Sequence, residues 1–327
     1  MSDWARLPKV ELHLHLEGAA PPDFIRELAA EKGVALDGVF GAAGNYQWTT
    51  FAEFLACYMA ACSVLDGPEA FGRLTERVLE QSAAQGVVYT EIFVCPDLCG
   101  DGDPVAWAEY FAAITGSAEA ARGINARFIV QAIRDFGPER AEATARLALE
   151  SPRTSAVGFG LGGEERHLAP ADFARAFAIA REGGLPLTCH AGEICGADGV
   201  AATLDAIAPA RIGHGVRAIE DPGVVARLRE TGTVLEVCPG SNIALSVFPD
   251  WPSHPVDRLR QAGVAVTLST DDPPYFGVDL ISDYAHLAET FGWTEATFAE
   301  LNRTAARAAF CDEATRATIL NRLQEPR

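Results

Sequence analysis

Short apolar, often β-branched runs recur along the chain, each followed by a longer Ala/Leu/Arg/Glu segment of helical period. These runs predict eight strands: Val10–His15, Val87–Val94, Ala126–Ile133, Ala156–Gly162, Leu185–Ala191, Arg211–Val216, Val234–Pro239 and Val264–Thr270. Helices are expected between them at Pro22–Lys32, Pro68–Gln85, Pro104–Ala121, Pro138–Leu149, Ala169–Arg181 and Pro222–Glu230. Several open on proline, whose fixed φ suits the first helical position. Asp279 to Leu323 reads as two or three more helices.

Strands alternating with helices predict an α/β fold with a parallel sheet and helical crossovers, closed as a (β/α)8 TIM-type barrel or left open. The open sheet lacks its nucleotide fingerprints, because no G-x-G-x-x-G follows the first strand and no G-x-x-x-x-G-K-S/T occurs. Glu17 to Tyr89 is too long for one crossover helix, so extra helices are expected after strand one, as a lid over one end. Without a linker or low-complexity tract, residues 1–327 read as a single barrel domain.

Composition narrows the partners. No run reaches 18 apolar residues and no secretory start is visible, which predicts a cytoplasmic protein without a membrane span. Lys and Arg number 26 against 45 Asp and Glu, a net charge of −19. Such a surface repels nucleic acid and anionic membrane and leaves a small molecule as the expected partner. It says nothing of oligomeric state. The eight cysteines are irregularly spaced with no C-x-x-C, so reduced thiols are expected.

Chemistry collects at strand ends. In Glu11-Leu12-His13-Leu14-His15-Leu16-Glu17 alternate side chains share a face, so the acids and histidines point one way and the leucines the other. Two histidines at i and i+2 can converge on one metal, or lie buried as a structural pair. His190 ends strand five and Glu193 follows it past Gly192, where a carboxylate could move protons. His214 lies between Gly213 and Gly215 at the end of strand six, and Asp271-Asp272 closes strand eight. Two adjacent acids there make either a turn or a ligand beside a substrate contact. Cys238-Pro239-Gly240-Ser241-Asn242 adds polar groups after strand seven. Barrel active sites form at these C-terminal strand ends, and three neutral nitrogens with one carboxylate suit Zn²⁺.

Taken in order, His13-Leu14-His15, His190-Ala191-Gly192-Glu193, Gly213-His214-Gly215, Cys238-Pro239-Gly240-Ser241-Asn242 and Ser269-Thr270-Asp271-Asp272-Pro273 resemble the adenosine deaminase family of the amidohydrolase superfamily. The resemblance spans nearly the whole chain. It implies a (β/α)8 barrel with one zinc per chain that hydrolyses the 6-amino group of a purine. By that resemblance His13, His15, His190 and Asp271 bind the metal. Glu193 is the proton shuttle, His214 positions the attacking hydroxide, and Asp271 assists proton transfer. Asp272 resembles the contact to purine N7 and Gly163 the backbone contact to N3, with His15 and Glu17 also facing substrate.

Substrate markers divide. His15-Leu16-Glu17-Gly18 resembles adenine deaminases, and Glu91-Ile92-Phe93 lacks the Glu-x-Arg usual in adenosine deaminases. Gly162-Gly163-Glu164-Glu165 is nearer the adenosine pattern than the serine pair of adenine deaminases. The reading that results is adenosine or 2′-deoxyadenosine, with adenine or an N6-substituted or 5′-modified adenine as the alternative. A metal-dependent phosphoesterase and a non-catalytic purine-binding barrel are the readings from other classes.

Overall fold

A computed structural model describes residues 3–324. Eight strands appear in the expected order: β1 (Lys9–His15), β2 (Val87–Val94), β3 (Asn125–Ile133), β4 (Ala156–Gly162), β5 (Thr188–Ala191), β6 (Arg211–His214), β7 (Val234–Val237) and β8 (Val266–Leu268). They form two four-stranded parallel sheets, β1-β2-β3-β4 and β5-β6-β7-β8. One parallel bridge, Phe159 with Leu187, joins β4 to the segment entering β5. Another, Leu14 with Asp271, joins β1 to the segment leaving β8. Here the His15 N–H donates to Asp271 O at 3.1 Å and the Asp271 N–H to His13 O at 3.2 Å. The two seams give the cyclic strand order of a (β/α)8 barrel.

The last strands are shorter than their apolar runs. β6 stops at His214 and β8 at Leu268, because His214 (φ 59°) and Asp271 (φ 69°) adopt left-handed backbone that no strand accommodates. β7 stops at Val237 because Pro239 opens a helix instead of extending the ladder. Pro186 delays β5 to Thr188 in the same way.

Helices α1 (Pro22–Lys32), α2 (Phe51–Cys62) and α3 (Pro68–Ala84) form the insertion after β1. The crossovers carry α4 (Pro104–Ala120), α5 (Pro138–Glu150), α6 (Ala174–Glu182), α7 (Ala197–Ala206), α8 (Pro222–Thr231), α9 (Pro239–Ala244) and α10 (Val256–Gln261). After β8 come α11 (Pro273–Phe276), α12 (Leu280–Phe291), α13 (Glu295–Ala308) and α14 (Glu313–Arg322). Proline occupies the first position of α1, α3, α4, α5 and α8. The stretch from Ala169 is split, with a 3-10 turn at Pro170–Phe173 before α6.

The leucine face of β1 turns outward as its alternation requires. Val10 and Leu12 pack with Ala305, Ala306 and Ile319 of α13 and α14, closing that side with buried apolar surface. The insertion is clamped onto the barrel top. Tyr46 stacks on Tyr275 at 3.8 Å, and Trp48 Nε1 donates to Tyr275 O at 2.9 Å. Of the described residues, no helix is long and apolar enough to cross a membrane.

Candidate active site

Two β1 histidines, one β5 histidine and the aspartate after β8 meet above the strand ends. His15 Nε2 lies 3.3 Å from His190 Nε2 and 3.2 Å from Asp271 Oδ1, and His13 Nε2 lies 3.4 Å from the same oxygen. A tetrahedral ion with Zn–N near ~2.1 Å holds its ligand atoms about 3.4 Å apart. These three separations match the edge of such a site; among the described residues His13, His190, His214 and Asp271 form one group close enough to share an ion, and His15, Asp271 and Asp272 another.

The outward nitrogens are already committed. His13 Nδ1 lies 2.8 Å from Glu236 Oε2, and His190 Nδ1 lies 3.0 Å from Leu161 O. An acceptor at Nδ1 places the proton there and leaves the Nε2 lone pair pointing inward. His13 Nε2 is buried and faces Asp271 Oδ1, another atom of the donor set, as a ligand nitrogen would. Burial, then the neighbouring His13 and His15, pushes the His190 pKa well below the usual value, which favours the neutral, ligating form. The ring has room because residue 213 is glycine: a Cβ there would stand 2.7 Å from His13 Cε1.

His214 also joins the cluster, its Nε2 3.9 Å from Asp271 Oδ2 and 3.6 Å from Glu193 Oε2. A relay fixes its tautomer. The Val256 N–H donates to His254 Nδ1, so His254 Nε2–H faces Asn242 Oδ1 at 3.2 Å. Asn242 Nδ2 then donates to His214 Nδ1 at 3.3 Å, which leaves the His214 proton on Nε2, facing the site. Burial drops the His214 pKa to about 3, keeping the ring neutral. The left-handed backbone at His214 and Asp271 costs about 1–3 kcal/mol each, which surrounding contacts must offset. Ser241 Oγ, donating to Asp271 Oδ2 at 2.7 Å, is one of those contacts.

Glu193 is held by its loop. Glu165 accepts the backbone N–H groups of Gly192, Glu193, Ile194 and Cys195, the last two at 2.7 and 2.8 Å. Burial, then the charges of Asp271 and Glu165, lifts the Glu193 pKa well above the usual carboxylate range. Asp272 is raised likewise, by burial and then by Asp271. In Asp271 itself, contacts with His13 and His15 outweigh burial and hold the carboxyl well below that range. An acid biased toward its protonated form thus faces one biased toward its ionised form, the division that acid–base chemistry needs.

A cavity of about 340 Å³ opens above these groups, lined by His15, Glu17, Gly163, His190, Glu193 and Asp272 among others. Phe51, Phe54, Leu55, Tyr58 and Met59 of α2 wall its outer side, so the insertion does cover the site. Glu17 is buried with Oε1 unpartnered, and burial raises its pKa to about 7. Every site residue expected from the sequence lies on this cavity or in the cluster beneath it. Glu236, Glu165 and His254 are additions. Glu236 was visible as a lone acid in the apolar run Val234-Leu235-Glu236-Val237, Glu165 only as the last residue of Gly162-Gly163-Glu164-Glu165 with no role attached, and His254 left no local signal.

Glu236 also accepts from Arg211 Nε at 2.5 Å and Thr188 Oγ1 at 3.0 Å, and is wholly buried. Glu236→Gln is expected to weaken metal binding ~10–100-fold, the usual effect of losing a ligand's supporting partner. Competition with a chelator checks this, and unchanged affinity would reduce Glu236 to a packing role.

Comparison with known proteins gives a consistent result. The adenosine deaminase family model matches residues 8–326. An adenine deaminase of Rhizobium rhizogenes is 49% identical over 98% of this chain and 99% of its own. One of Agrobacterium fabrum is 48% identical over 98% of each. The crystal structure of adenine deaminase from Arthrobacter aurescens superposes with a TM-score of 0.84 at 29% identity, covering 97% of this chain and 98% of that one. A zinc-bound amidohydrolase from Burkholderia ambifaria gives 0.85 at 27% identity, covering 96% and 89%.

Proposed function

The chain belongs to the adenosine deaminase family, and we propose that it is an adenine deaminase, converting adenine and water to hypoxanthine and ammonia. The observation that carries this reading is near-full-length identity of 48–49% to relatives named adenine deaminase. It favours the alternative drawn from His15-Leu16-Glu17-Gly18 over the adenosine reading drawn from Gly162-Gly163. A glycine pair records only an absence of side chain, and here the space over Gly162 is taken by a residue from β3.

Zinc is the proposed ion, one per chain, held by His13, His15, His190 and Asp271. When bound it supplies a Lewis acid that brings the pKa of water toward ~7. The protein's own groups do the rest. Glu193, its pKa raised by burial and by Asp271, donates a proton to N1, which withdraws electron density from C6. His214 Nε2–H orients the oxygen that adds at C6, and Asp271 Oδ2 accepts its proton. Proton return to the 6-amino group lets ammonia leave. Asp272 meets N7, the Gly163 backbone lies along N3, and Glu17 closes the pocket beside the base. Eight unpaired cysteines among the described residues suit a reducing, cytoplasmic compartment.

A panel of adenine, adenosine, 2′-deoxyadenosine and N6-methyladenine, followed by absorbance loss, tests the assignment. Adenine is expected to exceed adenosine by at least ~10-fold in kcat/KM, or about 1.4 kcal/mol. Glu17→Ala should lower adenine turnover ~10–100-fold, as loss of a buried polar contact worth about 1–3 kcal/mol. Preference for adenosine, with adenine turnover untouched by Glu17→Ala, would restore the nucleoside reading.

A further inference from the structure

Gln131, on β3, has an amide nitrogen without a hydrogen-bond partner. The residue is 5% exposed, lines the active-site cavity, and its Nε2 is enclosed without a hydrogen-bond partner. A buried donor left unpaired is costly, so a partner supplied by the ligand is expected. The amide lies over Gly162, where a Cβ would come within 2.6 Å of Nε2. A side chain at 162 would displace it.

The strand order says which edge of a purine this amide meets. Resting on the adenine reading, Glu193 after β5 meets N1 and Asp272 after β8 meets N7. Around the ring from N1, away from C6, come C2, N3, C4, N9, C8 and N7. Around the barrel from β5 come β4, β3, β2, β1 and β8. N3 then faces the side of β4 and β3, where Gly163 also lies, and N9 the side of β3 and β2. Phe93 of β2, stacked on His15 at 5.0 Å, is apolar; the polar cavity-lining side chains on the β3 side are Gln131 and, past the strand, Asp135, whose Oδ2 already accepts the Glu164 N–H at 3.0 Å.

We propose that Gln131 reads the N3/N9 edge of the free base. With the amide turned so that Nε2 faces the cavity, Nε2–H donates to N3 alongside the Gly163 backbone, and Oε1 accepts the N9–H. A carboxamide presents donor and acceptor side by side, the complement of N3 and N9–H. In a nucleoside N9 carries the sugar, so the second bond cannot form and the amide crowds the ribose. Gln131 is thereby a determinant of free base over nucleoside.

The test uses Gln131→Leu and Gln131→Glu with adenine and 9-methyladenine as substrates, each variant checked for metal content and thermal midpoint. Gln131→Leu should lose ~10–100-fold in kcat/KM on adenine, mostly in KM, because contacts remote from C6 act equally before and at the transition state. On 9-methyladenine, already poor for the unaltered protein, the loss should stay within about threefold. Gln131→Glu keeps the acceptor but not the donor and should fall between. Adenine turnover within about threefold of the unaltered protein in Gln131→Leu, or equal losses on both substrates, would overturn the assignment alone. An unaltered protein that does not deaminate adenine would overturn the adenine reading and this assignment with it.

Discussion

Glu193→Gln is expected to keep its metal and lose at least ~10²–10⁴-fold in kcat, the range for a missing general acid–base group. The amide matches the carboxyl in shape, and the four N–H groups gathered by Glu165 hold the loop in either form. What is lost is a transferable proton. Glu193 Oε1 is buried without a partner, and burial together with Asp271 favours the protonated acid. Adenine resists attack at C6 until N1 shares a proton, so the deficit should fall on the chemical step and spare KM. Ammonia release beside metal analysis measures both quantities. Near-normal turnover at full metal content would remove Glu193 from the mechanism.

A larger loss is expected from His190→Ala. Its Nε2 is one apex of the donor cluster and its Nδ1 is tied to Leu161 O at 3.0 Å, so alanine removes a donor held in place. Metal content should fall from about one ion per chain toward none. Activity should fall beyond the Glu193→Gln range, because the Lewis acidity that shifts water from a pKa of about 15.7 toward ~7 goes with the ion. His13→Ala should behave alike. Two tightly held ions in the active, unaltered protein would instead favour the phosphoesterase reading.

The strands and donors were legible because both follow local rules. Period-two alternation placed Glu11, His13, His15 and Glu17 on one face, and glycines marked the turn bearing Glu193. Backbone conformation was legible only in outline: Gly213 and Gly215 on either side of His214 allow unusual dihedrals but do not announce that His214 itself adopts φ 59°. Contacts between distant segments were equally hidden. Glu165 reaches the Glu193 loop across some 28 residues and Glu236 reaches His13 across 223. Such pairs exist only once the ring of strands closes. The substrate suffered most, since Gly162 and Gly163 describe space whose occupant comes from another strand.

The seam between β1 and the segment leaving β8 is built from the backbone of His13, His15 and Asp271, the same residues whose side chains converge as donors. Unzipping that seam therefore dismantles the ion site, and an ion in place resists the unzipping. Binding to the closed state alone stabilises it by about RT ln(1 + [metal]/Kd), or about 4.1 kcal/mol at a thousandfold excess over Kd. Ion release and solvent exchange of the His15 and Asp271 amide protons then become two readouts of a single local opening. Chelation should quicken exchange at those two amides while leaving the far seam, at Phe159 and Leu187, as slow as before.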